Sequence, residues 1–73
     1  MTIPELIRNI RLQTGLSQED FARAINVSYG TVNRWENNKS KPNRMAKALI
    51  ADYCEKQGID RELIDAIKNI KRL

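Results

Sequence analysis

The segment Leu16-Ser17-Gln18-Glu19-Asp20-Phe21-Ala22-Arg23-Ala24-Ile25-Asn26-Val27-Ser28-Tyr29-Gly30-Thr31-Val32-Asn33-Arg34-Trp35-Glu36-Asn37 contains two helical periods set very close together. Ser17 is a good N-cap for the first, and Gln18, Glu19 and Asp20 bring side-chain acceptors and negative charge to the positive end of that helix. It is predicted to end near Ile25. Ser28 caps the next helix, in which apolar Val32 and Trp35 follow at helical spacing, so it spans about Tyr29 to Asn37. Only Asn26 and Val27 are left between the two. That demands a tight turn, and Asn26 suits it because Asn tolerates positive φ better than most residues other than Gly. The pair buries Phe21, Ile25, Val27, Val32 and Trp35 together, Ala22 being small enough to let the helices cross closely. This arrangement projects the second of them outward.

Working outward, Thr2-Ile3-Pro4-Glu5 reads as a capping box with Pro in the first turn, followed by Ile3, Ile7 and Ile10 at helical spacing. This first helix runs to about Gln13, and Gly15 breaks it. After the third helix, Asn38 is a second candidate for a left-handed cap, and Lys39-Ser40-Lys41-Pro42 reads as a basic loop. A fourth helix from about Arg44 carries Met45, Ala48, Leu49 and Tyr53 as its apolar stripe, widened by Ile50 and Cys54. Gly58 ends it. Asp60 then caps a fifth helix lined by Leu63, Ile64, Ile67 and Ile70, with Lys68, Lys71 and Arg72 complementing its negative end. There is no internal repeat, linker or low-complexity tract. The expected fold is all-α, five helices in one domain over residues 1–73.

A 73-residue chain has room for one domain, which buries only roughly 60% of the surface its unfolded form exposes. With 41% hydrophobic and 30% charged residues, and just 3 Gly and 2 Pro, the composition fits a helical globule better than disorder or an all-β design. It is poorly equipped for catalysis. No His is present to serve as a base near neutral pH, and the lone Cys54 has no His to activate it. Cys54 also lacks the partners for an internal disulfide or a zinc site, and is read as a small buried apolar filler, with a free or intermolecular thiol as the alternative. No enzyme, cofactor, metal or small-molecule ligand is expected. Met1 to Glu5 carries no basic stretch leading into an apolar one, and no run of 18 apolar residues occurs, so no membrane partner and a cytoplasmic location are expected.

The formal charge of +4 comes from 13 Lys and Arg against 9 Asp and Glu. From Arg34 to Lys47 there are five cations, Arg34, Lys39, Lys41, Arg44 and Lys47, and one anion, Glu36. The whole surplus therefore sits in that segment. Such a cluster neutralises phosphates and releases counterions, although composition alone fits a solvated basic face equally well.

The chain resembles the lambda repressor and Cro-like helix-turn-helix family, also called the XRE family. The likeness begins at Ile7-Arg8-Asn9-Ile10-Arg11, continues through Gly15-Leu16-Ser17-Gln18-Glu19, and reaches Trp35-Glu36 and Pro42 without a gap. Its weight lies in the spacing of a Gly-Leu-Ser-Gln entry, a Val-Ser start to the next helix and Trp35-Glu36. The resemblance implies binding of double-stranded DNA, with the helix starting near Ser28 in the major groove. Carried over by position, Ser28, Tyr29, Gly30, Asn33 and Arg34 are the base readers. Arg34 suits guanine O6 and N7, and Asn33 suits adenine N6 and N7. Gly30 is read either as a close approach of the helix backbone to DNA or as a helix-weakening residue. For Tyr29, thymine-methyl packing, a phosphate hydrogen bond and plain exposure stay open.

The same resemblance implies that Gln18 grips a phosphate from the start of the second helix, its alternative being an ordinary first-turn polar residue. Asn37, Lys39, Lys41 and Arg44 lie against the sugar-phosphate backbone, positioning the protein without reading bases, or are simply solvated. Arg11 and Glu36 correspond to a structural ion pair tying the first helix to the end of the reader. Asn26 and Asn38 stand where the family usually has Gly, and the chain after Leu49 is about one helical turn longer than the family pattern. Expected partners are an inverted-repeat operator and a weak homodimer contact through spare apolar width on the fifth helix, with exposed Leu12 nearby. The alternative is that the fifth helix is used up in covering the core. A transcriptional regulator, repressor-like, is the expected function. An antitoxin-like or protein-interaction module, or the targeting domain of a longer protein, is the alternative.

Overall fold

Thr2 starts the first helix by accepting a hydrogen bond from the Glu5 backbone N–H, while the Glu5 carboxylate accepts one from the Thr2 N–H. This reciprocal box opens α1 (Ile3–Gln13) in a computed structural model that describes residues 1–70. It is followed by α2 (Gln18–Ala24), α3 (Tyr29–Glu36), α4 (Arg44–Gln57) and α5 (Arg61–Lys68). Every start is capped by a side chain: Ser17 accepts from Asp20 N–H, Ser28 from Thr31, Asn43 from Ala46 and Asp60 from Glu62. Each such cap is worth about 1 kcal/mol over Ala. Asn43 is a cap that hydrophobic periodicity alone did not mark.

Between helices the chain reverses in left-handed backbone. Asn26 has φ 65° and Asn38 φ 59°, as the two Asn residues suggested, and Gly58 at φ 68° ends α4. Any other residue pays for that conformation with crowding between Cβ and the following carbonyl.

The core gathers one side of every helix. Ile7, Ile10, Phe21, Val32, Ile50, Cys54 and Ile67 are sealed from solvent, with Ala22, Ile25 and Trp35 nearly so. α2 packs on α3 with Ala22 buried, α1 packs on α3 and α5, and α5 packs on α4. Tyr53 brings α4 to the same centre, its ring standing edge-on to Phe21 with centroids 6.0 Å apart. Burial pushes the Cys54 thiol up to about 11, as an apolar filler requires. No described helix is long and apolar enough to cross a membrane.

Two sequence expectations need correcting. The buried side of α4 is Ala46, Ile50, Ala51 and Cys54, whereas Met45 is 73% and Leu49 39% exposed, and Ala48 is exposed too. Met45 to Ala51 is apolar at every position but Lys47, so side-chain size misdirected the choice of stripe. Close helix contact favours the small residues instead. The second concerns α5, whose Leu63, Ile64 and Ile67 are all buried, with Ile70 partly buried against them. Leu63, Ile64 and Ile67 are thus spent on the core, which corresponds to the alternative reading of this helix. Leu12, 58% exposed, does stand free of the core. The roles expected of Lys71 and Arg72 lie outside the described residues.

Because Ile67 is sealed and Met45 is not, the two should respond oppositely to truncation. Ile67→Ala should cost about 2–5 kcal/mol in urea unfolding followed by circular dichroism. Met45→Ala should stay within about 0.5 kcal/mol of the parent.

Candidate nucleic-acid interface

α3 is held from beneath by a buried carboxylate. Glu36, in its last turn, has a side chain only 1% exposed. Arg11 of α1 grips it fork on fork, Nε donating to Oε2 at 2.7 Å and Nη2 to Oε1 at 3.0 Å. The remaining Arg11 nitrogen, Nη1, donates to the Leu16 carbonyl at 3.0 Å, which ties in the loop leading to α2. Gln18, the first residue of α2, adds a donation from Nε2 to Glu36 Oε1 at 3.0 Å. Its own Oε1 accepts from Asn33 Nδ2 at 3.1 Å. One chain of hydrogen bonds thus joins α1, α2 and two turns of α3.

Burial by itself would push the Glu36 carboxyl up. The hydrogen bonds from Arg11 and Gln18, with the Arg11 and Arg8 charges, outweigh that and hold it below the ordinary carboxylate range. Arg8 was not singled out from sequence. It lies 3.6 Å from Glu36 with half its side chain exposed, and its place one turn before Arg11 on α1 was the available signal.

The readers implied by the resemblance do not share one setting. Tyr29, 52% exposed, and Arg34 project into solvent from α3. Ser28 spends its hydroxyl on the cap and on a 2.8 Å hydrogen bond with Thr31. Arg34 folds back along the helix, Nη2 donating to Thr31 Oγ1 at 3.3 Å. Gly30 lies under that guanidinium, and a Cβ there would sit 3.2 Å from Arg34 Nη1. Its missing side chain leaves room for the Arg34 head. Thr31, unmarked in the sequence reading, links Ser28 and Arg34 at successive three-residue steps. Asn33 is half-buried and turned toward Gln18.

Around this face, Asn37 caps α3, and its amide donates to the Asn33 carbonyl at 2.9 Å. Lys39, Lys41 and Arg44 are exposed, whereas Lys47 is half-buried and donates to the Ile70 carbonyl. Elsewhere, Arg8, Arg11, Arg23, Lys56, Arg61 and Lys68 each face a carboxylate. Among the described residues, the cations without an ion-pair partner are Arg34, Lys39, Lys41, Arg44 and Lys47. The cluster is therefore unneutralised as well as basic. Its one anion, Glu36, is already engaged beneath the surface.

A family model described as helix-turn-helix matches residues 7–57, well over half the chain. The chain belongs to this helix-turn-helix family. The family is lambda repressor-like and DNA-binding, which agrees with the five-helix, strand-free fold of the described residues. The matched region runs from α1 to the last residue of α4, so α5 lies beyond it. Neither the curated proteins nor the solved structures compared contain a significant match to the chain.

The Glu36 network generates a pH prediction for this helix-turn-helix domain. A carboxylate whose folded pKa lies below its unfolded value contributes stability that is complete above the unfolded pKa, near 4.3. That contribution is lost as pH falls through the folded pKa. Glu5 and Glu55 are also lowered, by hydrogen bonds from Thr2 and Lys68 respectively, so the informative quantity is a difference. The stability gap between the parent and Glu36→Gln should be widest at pH 6–7 and should narrow below roughly pH 4 in parallel urea titrations.

Proposed function

We propose that the protein is a sequence-specific binder of double-stranded DNA acting as a prokaryotic or phage transcriptional regulator, repressor-like in kind, without catalysis or cofactor. It works as a single domain, placing α3 in the major groove. The observation that carries this reading is the unneutralised cluster at Arg34, Lys39, Lys41 and Arg44, which runs from the last turn of α3 through the loop after it to the start of α4. An exposed face with no counter-ion of its own is suited to exchange small counterions for phosphates. Tyr29 and Arg34 are the exposed side chains for the base edges. Lys39, Lys41, Arg44 and Asn37 serve the backbone, and Gln18 adds a phosphate contact through the N–H that Glu36 leaves unused.

The site proposed is an inverted repeat, read by two copies about one helical turn of DNA apart. With α5 spent on the core, the exposed apolar side chains Leu12, Met45 and Leu49 remain for a weak contact between copies. DNA strengthens such a contact by raising the effective concentration of the second copy. Sedimentation with a selected duplex should show two subunits per site; strict one-to-one binding to sites lacking an inverted repeat overturns the dimer.

A selection on randomised duplex DNA, followed by titration of the selected site, tests the main reading. With four to six phosphate contacts per subunit, log K should fall against log salt with a slope of roughly −4 to −5. Arg34→Ala should relax base preference at one position and cost about 1–3 kcal/mol, while Lys41→Ala should weaken all sequences alike and reduce the slope by about one. A slope near zero, or identical behaviour of the two variants, contradicts the assignment.

A further inference from the structure

Glu36 accepts hydrogen bonds and donates none, because it is an ionised carboxylate held by a bidentate arginine. The group that Gln18 presents to it at 3.0 Å must therefore be the amide nitrogen. That leaves the Gln18 carbonyl oxygen facing Asn33, and an oxygen there again admits only a donor, so Asn33 must present its own Nδ2 at 3.1 Å. Flipping either amide would set oxygen against oxygen or nitrogen against nitrogen. The direction of the Asn33 amide is thus dictated by a charge with which it has no contact.

We infer that Glu36, acting through Gln18, is a positioning residue that makes Asn33 select adenine over guanine at one base pair. This rests on the proposed placement of α3 in the major groove. A free asparagine amide has two N–H groups and one carbonyl. With one N–H committed to Gln18, Asn33 keeps one donor and one acceptor for DNA. Adenine presents the complementary pair, the N7 acceptor and the N6 donor. Guanine presents two acceptors, N7 and O6, and engaging both would need the N–H that Gln18 already holds. A mismatched guanine therefore leaves a desolvated acceptor without a partner, which is where discrimination arises. The relay also orients Asn33 before DNA arrives, so little rotamer freedom is lost on binding.

The test uses four 73-residue chains, the parent, Gln18→Met, Asn33→Ala and the double variant, against the selected duplex with A·T or G·C at the Asn33-dependent position. Methionine keeps the length of Gln18 and leaves the Arg11–Glu36 pair intact. The parent should prefer adenine by about tenfold or more. Gln18→Met should shrink that ratio several-fold beyond its uniform loss of affinity. Asn33→Ala should abolish the ratio, and adding Gln18→Met to it should change the ratio no further. In the free parent, nuclear magnetic resonance should show one Asn33 side-chain N–H protected from solvent exchange and the other not, a readout that needs no variant to fold. An unchanged adenine-to-guanine ratio in Gln18→Met, or equal exchange of the two Asn33 hydrogens, overturns the relay while leaving DNA binding intact. Failure of the parent to bind any duplex at low salt overturns the DNA-binding reading and the relay together.

Discussion

A carboxylate taken out of water must find compensation close by, and Glu36 draws it from three elements at once. Arg11 arrives from α1, Gln18 from the start of α2, and the Leu16 carbonyl holds the arginine in place from the loop between them. Removing one partner of such a pair strands the other, at a cost of roughly 3–5 kcal/mol. The geometry of α3 relative to the first two helices is thereby a condition of electrostatic balance, beyond the fit of apolar side chains. Misplacing α3 by an ångström would break charged hydrogen bonds together with apolar contacts.

This constraint shapes the surface as well. Because Glu36 is internal, the charges that the segment from Arg34 to Lys47 shows to solvent are all cationic, whereas the described cations elsewhere each face a carboxylate. Among the described residues, the cations without a carboxylate partner are confined to the last turn of α3, the loop after it and the start of α4. The molecule combines a rigidly held helix with an unneutralised rim. In a helix-turn-helix domain, a rigid helix supports base recognition and a basic rim supports phosphate contact.

Local signals made most of the fold legible. Ser17, Ser28 and Asp60 mark helix starts because a short side-chain oxygen satisfies an orphan N–H from within the same few residues. Asn26 and Asn38 mark left-handed turns for an equally local reason. The stripe of α4 was not legible. In Met45 to Ala51 nearly any direction is apolar, so periodicity has no contrast, and only the shape of the neighbours selects Ala46 and Ile50 over Met45 and Leu49. At the interface, residue type pointed to Arg34, Lys39 and Lys41 through their charge. The commitment of Asn33 to Gln18 and the fold-back of Arg34 over Gly30 depend on groups fifteen and four positions away, brought together by the crossing of helices and by the helical turn.

The amino-acid order alone determined the five helices, their turns, their caps other than Asn43, the outward third helix and the placement of every surplus cation, because these follow from interactions within a turn or two of chain. The tertiary structure decided which side of α4 is buried, that α5 spends Leu63, Ile64 and Ile67 on the core, which of the described cations lack a counter-ion, and which way two amides face. Those depend on distances between segments far apart in sequence. Burial of one carboxylate and the packing volume around it set those distances together.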